Sequence, residues 1–123
     1  MLVRWLVFVD FGRLMTTENS AQLDNVKRQA KRLSKIISIP LRQAQQLLSE
    51  VVYDCSNWQE LKLRIDTQSD DDLIQLTNLH PKSDAKYMQV FEEYKEVILS
   101  RMNGHPSFEE EKKLQILLSI FAL

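Results

Sequence analysis

The chain has 123 residues, with 16 Lys and Arg against 17 Asp and Glu, and it holds two glycines, three prolines and one cysteine. A domain of this length can bury its own core without disulfides or a structural metal, and a lone cysteine excludes a disulfide framework and a Cys-rich zinc module; a reducing, cytoplasmic setting is expected. Glycine-rich phosphate loops, dinucleotide fingerprints and nucleophile elbows need several glycines at fixed spacing, and the sequence holds none of them.

Residues 1–14, MLVRWLVFVDFGRL, differ in texture from the rest. The apolar run Trp5 to Val9 is too short for a bilayer span, which takes roughly 20 residues. Arg4 could serve as the n-region of a signal peptide, but Asp10 follows the run and no small-residue cleavage site appears, so none is expected. Two readings stand: a short strand or arm on a helical body, or an extension preceding a start at Met15. Gly12-Arg13 can be encoded by a purine-rich hexamer shortly before the Met15 codon, where a bacterial ribosome-binding site would lie.

From Ser20 to Ser38 the apolar residues Leu23, Val26, Ala30, Leu33 and Ile37 recur at the period of one helix face. Lys27, Arg28, Lys31, Arg32 and Lys35 cover the opposite side, within about 140°. Pro40 separates this helix from a second, with Leu41, Ala44, Leu47, Leu48, Val51 and Val52 inward and Arg42, Gln45, Gln46 and Ser49 outward. Ser56-Asn57-Trp58-Gln59 fits a capping box, opening a third helix that carries Trp58, Leu61 and Ile65 inward.

The run AKRLSKIISIPLRQAQQLLSEVVYDCSNWQEL, Ala30 to Leu61, resembles a small tri-helical module of bacterial proteins, some of them described as glyoxalase-related. That module joins an Ala-Lys-x-Leu helix, a Leu-x-x-Ala-x-x-x-Leu helix, a Gly-aromatic turn and a Trp-x-x-Leu helix. The resemblance implies a fold and no active site. Asp54 stands where the module usually has Gly, and Cys55 where it often has an aromatic residue. Aspartate is among the few residues that tolerate a left-handed backbone, so the turn is expected to survive. Glyoxalase chemistry relies on metal-binding His and Glu in a βαβββ domain, for which this chain has no room.

Beyond Ile65 the chain turns acidic. Asp66 to Asp72 reads as a linker whose last residues cap a short helix over Leu73 to Leu79, stopped by His80-Pro81. Ser83 or Asp84 opens a longer helix through Arg101 or Met102. Tyr87, Met88, Phe91, Tyr94, Ile98 and Met102 form its apolar side, widened by Val90 and Val97, and Asn103-Gly104 is its stop. A face this broad packs against more than one neighbour. Ser107-Phe108-Glu109-Glu110 reads as a second capping box, opening a final helix that runs to Leu123. Its last ten residues, LQILLSIFAL, are apolar nearly all round. They read as a central core helix or as a self-association seam through Leu117, Ile120 and Phe121.

The near-neutral total hides an asymmetry. Residues 1–64 carry ten basic and six acidic groups, net +4, while residues 65–123 carry six and eleven, net −5. Lys27, Arg28, Lys31, Arg32, Lys35 and Arg42 form the one dense like-charged patch, suited to a phosphate backbone or an acidic partner, or else a solvated face or one docked on the acidic half. The second and third helices resemble a helix-turn-helix only loosely, with Asn57, Gln59, Lys62 and Arg64 on the second and Glu60 opposing phosphate among them.

His80 and His105 each precede a proline in a loop, and neither they nor Cys55 show recognised metal-ligand spacing. Cys55 has no adjacent base to activate it. Asp70 to Asp72 lacks the alternating ligands of a calcium loop, and like Glu109 to Glu111 it suits a helix start. No nucleophile is paired with a base, so the reading is not an enzyme, with no catalytic residue, cofactor, metal or small-molecule substrate. The expected whole is an all-α, single-domain bundle of about six short helices. Residues 1–14 stand apart, and over 15–123 a basic tri-helical unit (20–66) packs on acidic C-terminal helices (67–123). The expected function is a bacterial protein-interaction module with a protein partner or a second copy and no membrane; the alternative is a small nucleic-acid-binding or regulatory protein using the basic face.

Overall fold

A computed structural model of the chain describes residues 21–67 and 72–123. The expectations for residues 1–14 and Met15, and for Asp70 and Asp71, lie outside the described residues. The apolar period of the first helix forms α1, helical over 21–36. Val26, Ala30 and Leu33 are buried, and Leu23 and Ile37 pack partly buried beside them. α2 (Leu41–Val51) follows Pro40, its N-cap, and α3 (Trp58–Asp66) follows the turn at Asp54. A 3-10 helix η1 (Asp72–Asn78), the long α4 (Ala85–Met102), one 3-10 turn η2 (Glu110–Lys112) and α5 (Lys113–Ile120) complete the order.

The result is an all-α single-domain bundle. Its long element is α4, which packs against η1, α5 and α2, three neighbours for its broad apolar face. Phe91, Ile98 and Met102 are its buried residues, while Val97 faces solvent at 48% exposure and does not widen that side. Leu73, Leu76 and Leu79 are buried together with Ile74 and Thr77. That spacing of three stacks each set on one side of a 3-10 helix, which is why this segment is wound tighter than an α-helix.

Long-range hydrogen bonds hold α1 in place. Gln22 Nε2 donates to Thr77 Oγ1 (3.1 Å), and the buried Gln29 donates from Nε2 to the Leu76 carbonyl (3.3 Å). Gln29 Oε1 accepts from the hydroxyl of Tyr53 at 2.6 Å. Burial of Tyr53 pushes its phenol far above the ordinary value, the Gln29 bond offsetting part of the rise. Two arginines close helix ends of other elements. Arg101 of α4 donates to the Val51 and Val52 carbonyls at the end of α2 (2.7 and 3.3 Å), and Arg32 of α1 donates to Ile120 at the end of α5 (2.8 Å). Each satisfies terminal carbonyls and sets a cation against the negative end of a helix dipole.

Several local expectations are corrected. The N-cap of α3 is Asn57, whose Oδ1 accepts from the Glu60 amide (2.8 Å), and Glu60 reaches back to the Ser56 amide (2.9 Å); the box lies one residue beyond Ser56-Gln59. Ser49 is buried, not outward, its hydroxyl donating to the Gln45 carbonyl and its own carbonyl accepting from the Cys55 amide. Leu41 is 41% exposed and Trp58 only half-buried. No capping box forms at Ser107: Glu109 is the N-cap of η2 without a side-chain bond, and α5 starts only at Lys113 and stops at Ile120.

The left-handed helix ends do not fall on glycine. Ser38, Asp54 and Ala122 have φ of 55°, 53° and 60°, whereas no described glycine has positive φ. The turn at Asp54 is therefore left-handed, as expected there. At Ala122 the Leu123 amide bonds to the Leu118 carbonyl and the Ala122 amide to Ser119, a Schellman closure that normally uses glycine. Gly104 sits in ordinary backbone, and a Cβ there would meet nothing nearer than the Arg101 carbonyl at 3.7 Å. Exchanging the two, Gly104→Ala with Ala122→Gly, is expected to stabilise the chain by about 1–2 kcal/mol, read as a higher urea midpoint at unchanged slope.

Candidate functional site

At about 100° per residue the cations of α1 divide into two neighbouring stripes. Lys27, Lys31 and Lys35 occupy an arc of about 80°, and Arg28 and Arg32 share one of about 60° with Asn25. The lysines and Arg28 are exposed, whereas Arg32 is half-buried and tied to Ile120. Among the described residues, none of these five is in an ion pair. Three acids of the C-terminal half instead pair locally, Glu92 with Lys95 (2.9 Å), Glu109 with Lys112 (3.4 Å) and Glu110 with Lys113 (3.1 Å).

The arginine stripe borders the far end of η1. Asn25, Arg28, Arg32, Leu79 and His80 line a recess of about 290 Å³ there. Arg28 Nη1 donates to Asn25 Oδ1 at 3.3 Å, which steadies the guanidinium against the helix. His80 is held by its own turn. Its amide donates to Ser83 Oγ (3.1 Å), that hydroxyl donates to the His80 carbonyl (2.8 Å), and the Lys82 amide donates to Nδ1 (3.2 Å). The sequence weighs His80 only beside His105 and Cys55, and gives it no link to α1. Only the path of η1, fixed by Leu76 against Gln29, brings it to α1.

Arg42 belongs elsewhere. It lines a shallow groove of about 720 Å³ between α2 and α3 with Pro40, Gln43, Gln45, Gln46, Trp58 and Gln59. The helix-turn-helix residues of α3 are partly occupied. Asn57 caps its own helix, and Arg64 pairs with Glu60 at 3.5 Å.

Leu117, Ile120 and Phe121 are buried inside the single chain, so they offer no surface for self-association. Phe121 meets Phe91 of α4 edge-on, ring centroids 5.7 Å apart and planes at 72°. Cys55 is buried, with Sγ on the Tyr53 carbonyl (3.5 Å), and His105 packs edge-on against Phe108. Among the described residues, no three His, Cys, Asp or Glu side chains gather where a metal could be held, and no helix is long and apolar enough to cross a membrane. Against family models, curated proteins and solved structures the chain has no match, and the functional reading rests on its own residues.

Proposed function

We propose that the chain is a non-enzymatic interaction module that takes an acidic segment of a partner protein across the cationic surface of α1. One observation carries this: Lys27, Lys31 and Lys35 stand on one exposed stripe and form no ion pair among the described residues, while Glu92, Glu109 and Glu110 pair with neighbouring lysines. A surface of one sign steers and holds an extended polyanion, more by on-rate than by any single contact.

A second reading, single-stranded nucleic acid, is favoured by the groove of Arg42, Trp58 and the glutamines. An indole face stacks on any base, and amides pair with base edges. Anisotropy with a labelled acidic peptide and a labelled oligonucleotide separates the two. The peptide is expected to bind at about 50 mM salt, weakening steadily as salt screens the surface, and Lys31→Glu with Lys35→Glu is expected to weaken it at least about tenfold. Preferential oligonucleotide binding with a steep salt slope moves the reading to nucleic acid. If the double variant binds the peptide like the parent chain, α1 is not the surface used.

A further inference from the structure

We propose that the recess between α1 and the loop after η1 is a binding site for a phosphomonoester. The proposal rests on the reading of α1 as an anion-binding helix, and it assigns to Arg28, Arg32 and His80 a task distinct from that of the lysine stripe.

Two arginines and a histidine line a single recess with Asn25 and Leu79. Arginine stays charged at any working pH, and its fork of five N–H donors matches phosphate oxygens. Arg28 spends one nitrogen on Asn25 and Arg32 one on Ile120, so both are oriented and both retain donors. Groups fixed in this way lose little freedom when a ligand arrives. Because Nδ1 of His80 accepts from Lys82, the proton of the neutral ring sits on Nε2, which makes it a third donor. Asp24 lies one turn before Arg28, yet the two form no ion pair, and neither guanidinium has a carboxylate partner among the described residues.

Charge and size select the ligand. Two fixed positive charges balance a phosphate dianion, whereas a carboxylate brings one charge and two oxygens to three donor groups. A volume of about 290 Å³ is the liquid share of about ten waters. That accepts a phosphate and a few carbons, with Leu79 as the apolar wall for the carbons.

The test is NMR titration of the full chain with sodium phosphate, ionic strength balanced by chloride, following the His80 ring and the Arg28 and Arg32 side chains. Saturable shifts are expected with half-saturation near or below about 1 mM. Arg28→Gln, an exposed substitution, is expected to weaken binding at least about tenfold. The control Lys27→Gln with Lys35→Gln is expected to change it by less than about threefold, since neither lysine lines the recess and exposed charges are screened at physiological salt. Arg32 is left intact because it also closes α5. Glycerol 3-phosphate and a short phosphoserine peptide identify the source: whichever binds more tightly than inorganic phosphate carries the natural group. Shifts that chloride reproduces, shifts unchanged by Arg28→Gln, or esters that bind about tenfold more weakly than inorganic phosphate each overturn the proposal. Loss of acidic-peptide binding in the lysine variants with phosphate binding intact separates the two readings, as does the reverse pattern in Arg28→Gln.

Discussion

Phe121→Ala is expected to destabilise the bundle by about 3–5 kcal/mol, a large share of the 5–15 kcal/mol that holds a domain together. The ring is fully buried and sits edge-on to Phe91, the fully buried aromatic of the long helix. Truncation removes the apolar area and also leaves a cavity. The end of the chain cannot collapse into it, because the Leu123 amide is fastened to Leu118 and Arg32 holds Ile120. Urea denaturation measures the loss, and Leu114→Ala, at 45% exposure on the same helix, is the control expected within about 0.5 kcal/mol. A double-mutant cycle with Phe91→Ala should return an aromatic coupling of about 0.5–1.5 kcal/mol. The same experiment separates core from subunit seam. A core ring gives a midpoint independent of protein concentration, whereas a seam makes it rise with concentration.

Gln29→Leu is expected to cost about 2–4 kcal/mol, although it replaces a buried polar side chain with an apolar one of similar size. The change leaves the buried Tyr53 hydroxyl without its partner and takes the side-chain bond from the Leu76 carbonyl, which keeps the Leu79 amide at 3.1 Å. A buried group left unpaired costs about 1–3 kcal/mol, and a lost hydrogen bond about 0.5–1.5 kcal/mol. Tyr53→Phe alone leaves only Gln29 Oε1 unmatched and should cost less. With both changes made, the Tyr53–Gln29 pair is gone from both sides, so the double variant should be more stable than the sum of the single losses implies.

The raised phenol adds a pH signature. Its pKa is higher folded than unfolded, so its contribution is fully present below about pH 10, the ordinary tyrosine value, and is lost as pH climbs toward the folded value. Stability measured from pH 9 to 11 should therefore fall above about pH 10 in the parent chain. Tyr53→Phe should lack that component of the fall.

Much of the fold is legible because apolar residues at three- and four-residue spacing have only one way to be buried together. α1, α2 and α4 follow from that pattern almost unaided. What escaped depends on partners distant in sequence. Gln29 looks like any surface glutamine until Leu76 and Tyr53 surround it, and Ser49 looks outward until the left-handed turn at Asp54 brings the Cys55 amide onto its carbonyl. The α3 cap illustrates a local ambiguity. Ser56 with Gln59 and Asn57 with Glu60 both satisfy the capping pattern one residue apart, and the charged Glu60 suits the positive end of the helix better. The apolar C-terminus looks alike as core or seam, and only Phe91 against Phe121 tells them apart. Of the candidate surface, the lysine stripe is plain from helical spacing alone. The recess is not, because His80 reaches it through a 3-10 segment whose course depends on the buried Gln29.

The carbonyl of Ile120 sets unequal limits on how the α1 surface can vary. Lys27, Lys31 and Lys35 are exposed and, among the described residues, make no bond that holds the bundle together, so their charges can be changed, lost or reversed with little consequence for the described fold. Arg32 has no such latitude, since its guanidinium also closes the helix that carries Phe121. Sequence drift on this surface should therefore run through the lysines, retuning which anions are attracted, while position 32 stays basic for reasons of architecture even in a descendant that binds nothing.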